Sequence, residues 1–78
     1  MERYKALINT QNVKTVILND DDRHISIKIN YCNDNDVILL KEDISTTHVI
    51  EQRARFKKDY EKIIEAVLTN QPFVEIIK

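Results

Sequence analysis

The stretch HISIKINY, His24 to Tyr31, decides the fold class. Isoleucines at positions 25, 27 and 29 and the tyrosine at 31 alternate with serine, lysine and asparagine. Successive side chains of a β-strand point to opposite faces of a sheet, so this period of two predicts a strand with one buried face and one wet face. Such a strand is typical of an antiparallel sheet that is covered on one side only.

Two further strands are predicted beside this one. The segment VKTVIL, Val13 to Leu18, is rich in β-branched residues, and DVILLK, Asp36 to Lys41, is a short apolar run. The connections are the acidic segments NDDD, from Asn19, and CNDND, from Cys32. The chain has no glycine, so Asn and Asp must form its turns. The three segments therefore predict an antiparallel meander.

From Thr46 to about Asn70 the apolar period changes from two to that of a helix. Spacings of three, four and seven predict one long amphipathic helix that covers the sheet. The residues of this stripe are Val49, Ile50, Phe56, Tyr60, Ile63, Ile64, Val67 and Leu68. Candidate N-caps are Asp43, Ser45, Thr46 and Thr47, Asn70 is the candidate C-cap, and Pro72 follows.

The two ends of the chain carry weaker patterns. In MERYKALINTQN, Tyr4, Leu7, Ile8 and Gln11 fall at helical spacing and predict a short N-terminal helix. FVEIIK, from Phe73, predicts an extended segment that adds a fourth strand or waits for an edge from another chain. The expected fold is α+β, in the order αβββα with this candidate extra strand, in a single domain of residues 1–78.

Composition bounds the class of protein. A chain of 78 residues with 42% apolar residues forms a thin core, since folding at this size buries only about 60% of the unfolded surface. The single cysteine excludes an internal disulfide, and neither a signal peptide nor a long apolar run is evident. We therefore expect a soluble cytoplasmic protein that does not enter a membrane.

The charges are unevenly distributed along the chain. Residues 1–43 carry six basic and eight acidic side chains, a net charge of −2, and residues 44–78 carry six basic and five acidic, a net charge of +1. The basic residues of the second part concentrate in RARFKK, which begins at Arg53. Arg53 falls near the middle of the apolar stripe. We favour an Arg stem laid over the sheet edge, with the guanidinium reaching solvent or the acidic loops, over an interface hot spot.

No motif in the sequence names a reaction. The oxygens of residues 33–36 suggest a cation loop, but apolar Val37 to Leu40 follow where further ligands are needed. His24, His48 and Cys32 lack the close spacing of a zinc site. We therefore interpret the acidic segments first as turns, and expect no metal, no cofactor and no enzymatic activity. A third interpretation is a carboxylate cluster that imitates a phosphate backbone on a partner.

The predicted order of helix, three strands and helix resembles that of the double-stranded-RNA-binding domain. The chain departs from that family where its function resides, because the start of the long helix is STTHVIEQ, from Ser45, in place of a Lys-rich cluster. A second resemblance is compositional. The glycine-free chain, rich in Ile, Asn, Asp and Lys, looks like products of AT-rich bacterial genomes and their phages. Small α+β proteins with acidic loops are common among phage-encoded inhibitors of host defence enzymes, including anti-CRISPR proteins.

The expected function is binding of a protein partner, as an inhibitor or regulator of a host nucleic-acid-processing or defence protein. The predicted partner-binding residues are Asp20, Asp21, Asp22, Glu42, Asp43, Arg53 and Arg55. One alternative is a nucleic-acid-binding face formed by Arg55, Lys58 and Lys62. Another is self-association, as a dimer or a structural unit, through the C-terminal segment.

Overall fold

The computed structural model describes residues 5–32 and 37–77. Within these residues, five strands and one helix follow one another in the order ββββαβ. They are β1 (Lys5–Asn9), β2 (Val13–Asp20), β3 (His24–Tyr31), β4 (Val37–Asp43), α1 (Val49–Leu68) and β5 (Phe73–Ile77). The acidic segment at 33–36, interpreted above as a turn, lies outside the described residues.

The predicted meander is confirmed. β2, β3 and β4 form a three-stranded antiparallel sheet in chain order, with β3 in the centre. Ile25, Ile27 and Ile29 are at most 1% exposed, so the isoleucine face of β3 is the buried one. α1 packs against β2 and β3 on this face, which confirms the α+β class.

The prediction of a short N-terminal helix is wrong. Residues 5–9 form β1, which pairs antiparallel with β5 in a separate two-stranded sheet. Ile8 of β1 and Val74 and Ile76 of β5 are buried, because the two-stranded sheet packs its apolar face on the same core. The predicted resemblance in element order to the double-stranded-RNA-binding domain is therefore also wrong, since a strand occupies the place of the first helix.

The C-terminal segment is extended, as expected, but its partner is β1 and not the edge of the meander. The turn from α1 into β5 is tied to the chain just after β1. The amide of Thr10 donates to the carbonyl of Pro72 at 2.9 Å, and the Thr10 hydroxyl donates to the carbonyl of Gln71. Thr10 is only 6% exposed, so these bonds satisfy a buried polar group.

The core is a single cluster that joins both sheets to α1. From the helix it contains Phe56, Ile63 and Ala66, and Leu40 contributes from β4. Burial of apolar surface at roughly 25 cal/mol per Å² is the main favourable term for so small a fold. Among the described residues, no helix is long and apolar enough to cross a lipid bilayer.

The apolar stripe of α1 is rotated relative to the prediction. The buried residues of the helix are Gln52, Phe56, Ile63 and Ala66, whereas Ile50 and Leu68 are more than three-quarters exposed. Gln52, not Arg53, occupies the middle of the stripe at its N-terminal end. The Arg53 side chain lies on a flank and is half exposed.

Both helix ends differ in detail from the predicted caps. His48 is the N-cap residue and makes no side-chain capping bond, while the Ser45 hydroxyl accepts a hydrogen bond from the His48 amide. At the other end the C-cap is Thr69, and Asn70 adopts a left-handed φ of 58°. Asn70 and Gln71 donate to the carbonyls of Val67 and Ala66, which is the Schellman arrangement normally made with glycine.

Candidate functional site

The five predicted acidic residues lie at one end of the three-stranded sheet. Asp20 ends β2 opposite Ile25 at the start of β3, and Glu42 of β4 lies opposite the same Ile25 on its other side. Asp43 lies opposite His24, and Asp21 and Asp22 are in the turn between β2 and β3. We call these residues, Asp20, Asp21, Asp22, Glu42 and Asp43, the acidic end.

Asp20 and Glu42 both point towards the helix. Residues directly opposite one another in a sheet share a face, and Ile25 is on the buried face. The helix begins near this end, so its flanks carry basic side chains to the two carboxylates. Arg53 Nε lies 2.8 Å from Asp20 Oδ2, and Arg55 Nη2 lies 2.6 Å from Glu42 Oε1.

Each of these two ion pairs joins an acidic residue to an arginine of the predicted partner-binding set. The acidic residues and the arginines were expected to face a partner, yet Asp20 and Glu42 already have Arg53 and Arg55 as counter-ions within the chain. Arg55 also lies over the Phe56 ring, with Cζ 5.6 Å from the ring centroid. All four side chains remain between one-third and one-half exposed, so each pair contributes only about 0–1 kcal/mol to stability.

Gln52 lies between the two pairs and joins the helix to the end of β4. Its amide Nε2 donates to the carbonyl of Asp43 at 2.8 Å and to Glu42 Oε1 at 3.1 Å. Its Oε1 accepts from the Ser45 amide at 3.0 Å. Gln52 is only 7% exposed. The side chain therefore supplies partners to two partly buried backbone groups of the β4–α1 connection.

Asp21 has a structural role in the turn between β2 and β3. Its Oδ1 accepts hydrogen bonds from the amides of Arg23 and His24, both at 2.8 Å. The bond from the Arg23 amide, followed by that from His24, lowers the pKa of the Asp21 carboxyl below its ordinary value, because both bonds favour the charged form. Because the turn contains no glycine, these hydrogen bonds to the Asp21 carboxylate stabilise it.

Asp22 and Asp43 are the most available carboxylates of the acidic end. Asp22 is exposed in the turn, and the Asp43 side chain is 92% exposed. His24 Nε2 lies 3.2 Å from Asp43 Oδ1, which makes an ion pair only when the imidazole is protonated. These two residues carry negative charge at the surface without the arginine partners that Asp20 and Glu42 have.

The predicted nucleic-acid-binding residues lie along one outer flank of α1. Lys58 and Lys62 are exposed and follow Arg55 at spacings of three and four, which aligns them on one side of a helix. Exposed Glu51, Glu61 and Glu65 lie on the same outer surface. Arg55 is engaged with Glu42, so the flank offers mixed charge rather than a continuous basic stripe.

A cleft of about 290 Å³ opens where β4 meets the start of α1. It is lined by Glu42, Ser45, His48, Glu51, Gln52 and Arg55. Across residues 5–32 and 37–77, no three His, Cys, Asp or Glu side chains come together as a metal-binding group would. The cleft places His48 near carboxylates, but Glu42 is already bonded to Arg55 and Gln52.

Sequence reasoning missed Gln52 as the central residue of this end. A wheel drawn from Phe56 and Ile63 places position 52 on the same line, at spacings of four and eleven, so the period contained the signal. Position 52 was not assigned to the buried stripe because glutamine is polar. Sequence reasoning also gave no role to the edge of β4, because edges are determined by which strands pair.

Comparison with protein-family models, curated proteins and solved structures finds no match for this chain.

Proposed function

We propose that the protein is a small binding module without chemistry of its own, and that it binds a protein partner through the acidic end. The observation that carries this proposal is the separation of roles among the carboxylates. Asp20, Asp21 and Glu42 hold the local structure together, while Asp22 and Asp43 extend from the same end without an arginine partner.

The expected partner surface is basic. Two exposed carboxylates with a third, Asp21, beside them attract Lys and Arg side chains, and such charges act mainly on association rate and specificity. Asp21 remains charged to lower pH than an ordinary aspartate because its pKa is lowered. The hydrogen bonds of buried Gln52 to Asp43, Glu42 and Ser45 order this end before binding, which limits the entropy lost on binding.

We further infer that the partner is a nucleic-acid-processing or defence protein of a host cell, and that the chain serves a phage or mobile element as an inhibitor or regulator. Two features support this inference. The glycine-free composition, rich in Ile, Asn, Asp and Lys, resembles that of products of AT-rich bacterial genomes and their phages. Proteins that bind nucleic acid present a basic surface, which carboxylates attract.

Nucleic-acid binding through Arg55, Lys58 and Lys62 is the second candidate. Its support is the alignment and exposure of Lys58 and Lys62 on one helix flank. This candidate predicts an affinity that falls steeply with salt, with a slope set by the number of phosphates neutralised.

The experiment that separates the candidates is affinity capture from host lysate, split into nuclease-treated and untreated halves. We expect one specific protein to remain bound after nuclease treatment. Loss of all bound material with nuclease would favour nucleic-acid binding through the helix flank.

The capture is repeated with two charge-matched double variants. Asp22→Asn with Asp43→Asn removes two negative charges from the acidic end, and Glu61→Gln with Glu65→Gln removes two from the exposed helix surface. We expect only the first variant to lose the partner. Equal retention by both variants would contradict the acidic-end proposal, and equal loss would indicate a response to net charge alone.

A further inference from the structure

β4 is an edge strand with an uncovered side. It pairs with β3 from Val37 to Asp43 without a break in register, and no described strand lies on its other side. The amide of Ile44, just beyond β4, donates to the carbonyl of Arg23 at 2.9 Å. Because backbone groups alternate in direction along an antiparallel strand, those of Val37, Leu39 and Lys41 point away from β3.

The other edge of the meander is irregular, whereas β4 is regular. β2 has a register shift between Val13 and Thr15, so exposed Lys14 sits at an irregularity. Lysines and bulges are devices that keep edge strands from pairing with other chains. β4 instead pairs in an unbroken register and presents Val37 and Leu39, which are 50% and 55% exposed. Its charged residues begin only at Lys41.

We propose that β4 pairs antiparallel with β4 of a second copy about a two-fold axis, which joins two three-stranded sheets into one of six strands. Directly opposed residues must share a face of the sheet. The two-fold axis must therefore lie where a residue faces the same residue of the second copy. An axis at Leu39 places Leu39 opposite the second copy's Leu39, and Ile38 opposite its Leu40. Val37 then lies opposite Lys41, whose aliphatic stem can cover it.

Side-chain matching favours this register. An axis at Leu40 would set Glu42 opposite Ile38 and Asp43 opposite Val37, which pairs charged with apolar residues. With the axis at Leu39, the outward backbone groups exchange about six hydrogen bonds. The Glu42 residues of the two copies then lie about 20 Å apart at a rise of roughly 3.4 Å per residue, so these two carboxylates do not repel each other strongly.

The chemistry of β4 therefore fits a second copy of the same chain, because one strand supplies both halves of the contact. A contact made by one edge strand of seven residues from each copy should bury less than the roughly 1,200–2,000 Å² of standard stable complexes. We accordingly expect a reversible dimer with a dissociation constant in the micromolar to millimolar range, on the order of 10–1,000 μM. The dimer proposal does not depend on the proposed protein partner.

The test is sedimentation equilibrium of the full chain between about 10 μM and 1 mM, a range that spans the expected dissociation constant. We expect the mass to rise from monomer towards dimer. Leu39→Lys sets like charges against each other across the axis and should keep the protein monomeric throughout. Ile17→Lys, on β2, is the matched control. Ile17 is 49% exposed, and both Ile17 and Leu39 lie directly opposite Lys28 of β3. This variant should dimerise like the natural chain.

Amide exchange of the natural chain gives a second readout that does not depend on the variants folding. The amides of Leu39 and Lys41 should become protected as concentration rises, while those of β2 should not change. A monomeric mass at 1 mM, equal loss of the dimer in both lysine variants, or edge amides that exchange independently of concentration would each overturn the proposal.

Discussion

Replacement of Gln52 by methionine tests whether the acidic end is held together from inside. Methionine keeps the length and the packing of the side chain but removes the bonds to Asp43, Glu42 and Ser45. Net contributions are about 0.5–1.5 kcal/mol for a neutral hydrogen bond and about 1.5–3 kcal/mol for one to a charged group. The apolar gain of a buried methionine, about 1.5–3 kcal/mol, offsets part of the loss.

We therefore expect Gln52→Met to lower the free energy of unfolding by about 2 kcal/mol. A protein of this length has roughly 4–12 kcal/mol in total, at about 0.05–0.15 kcal/mol per residue, so the loss is a substantial fraction. In thermal unfolding it corresponds to a fall in Tm of about 8–16 °C, at about 4–8 °C per kcal/mol. The same loss should lower the urea midpoint with an unchanged m-value.

The matched control is Lys58→Met, which places the same side chain at an exposed position of α1. It should change the free energy of unfolding by no more than about 0.5 kcal/mol. If Gln52→Met is as stable as Lys58→Met, then the bonds of Gln52 do not hold the β4–α1 connection.

Three further changes test other parts of the structure. Asn70→Ala should destabilise by about 1 kcal/mol in urea unfolding, because alanine lacks the short polar side chain that lets asparagine tolerate the left-handed backbone at this position. Asn70→Gly should not destabilise, because glycine adopts this backbone without a steric penalty; equal losses would contradict this. Asp20→Asn should cost less than about 1 kcal/mol, because its pair with Arg53 is partly exposed; a loss above about 2 kcal/mol would show a stronger role. The lowered pKa of Asp21 means that its contribution is complete above the pKa of an unfolded aspartate and is lost as pH falls through the lowered value. Amide exchange at Arg23 and His24, corrected for the intrinsic rate, should increase in that acidic window, and an unchanged rate would oppose it.

The sequence predicts the meander and the helix because their patterns are local. The alternation of Ile25, Ile27 and Ile29 is visible within eight residues and defines the buried face directly. From this face, the antiparallel order and the covering helix follow by the need to bury it. The left-handed role of Asn70 near the helix end was similarly accessible from composition, since no glycine was present.

The N-terminal strand could not be found in the same way. Residues 5–9 become a strand through pairing with residues 73–77, which lie more than sixty positions away. The spacing of Leu7 and Ile8 fits a helix equally well within a short window. Long-range pairing overrides such local preference, because β-propensity reflects packing against neighbours more than the backbone itself.

The candidate site was predictable in its location but not in its internal contacts. Strand order alone places Asp20–Asp22 and Glu42–Asp43 at one end, since alternate turns of a meander lie at opposite ends. Two things decide which carboxylates bond to α1: the face of the sheet on which each carboxylate lies, and the rotation of the helix about its own axis. The predicted rotation of α1 about its axis is wrong by about one residue, because the polar Gln52 interrupts the apolar stripe.

The most direct test of the acidic end as a binding surface is the affinity of the captured partner, once purified, for the natural chain and the two charge-matched double variants. We expect the dissociation constant to rise at least tenfold, about 1.4 kcal/mol, for Asp22→Asn with Asp43→Asn, and to stay within about twofold for Glu61→Gln with Glu65→Gln. Equal affinities for all three proteins would contradict the proposal that Asp22 and Asp43 contact the partner.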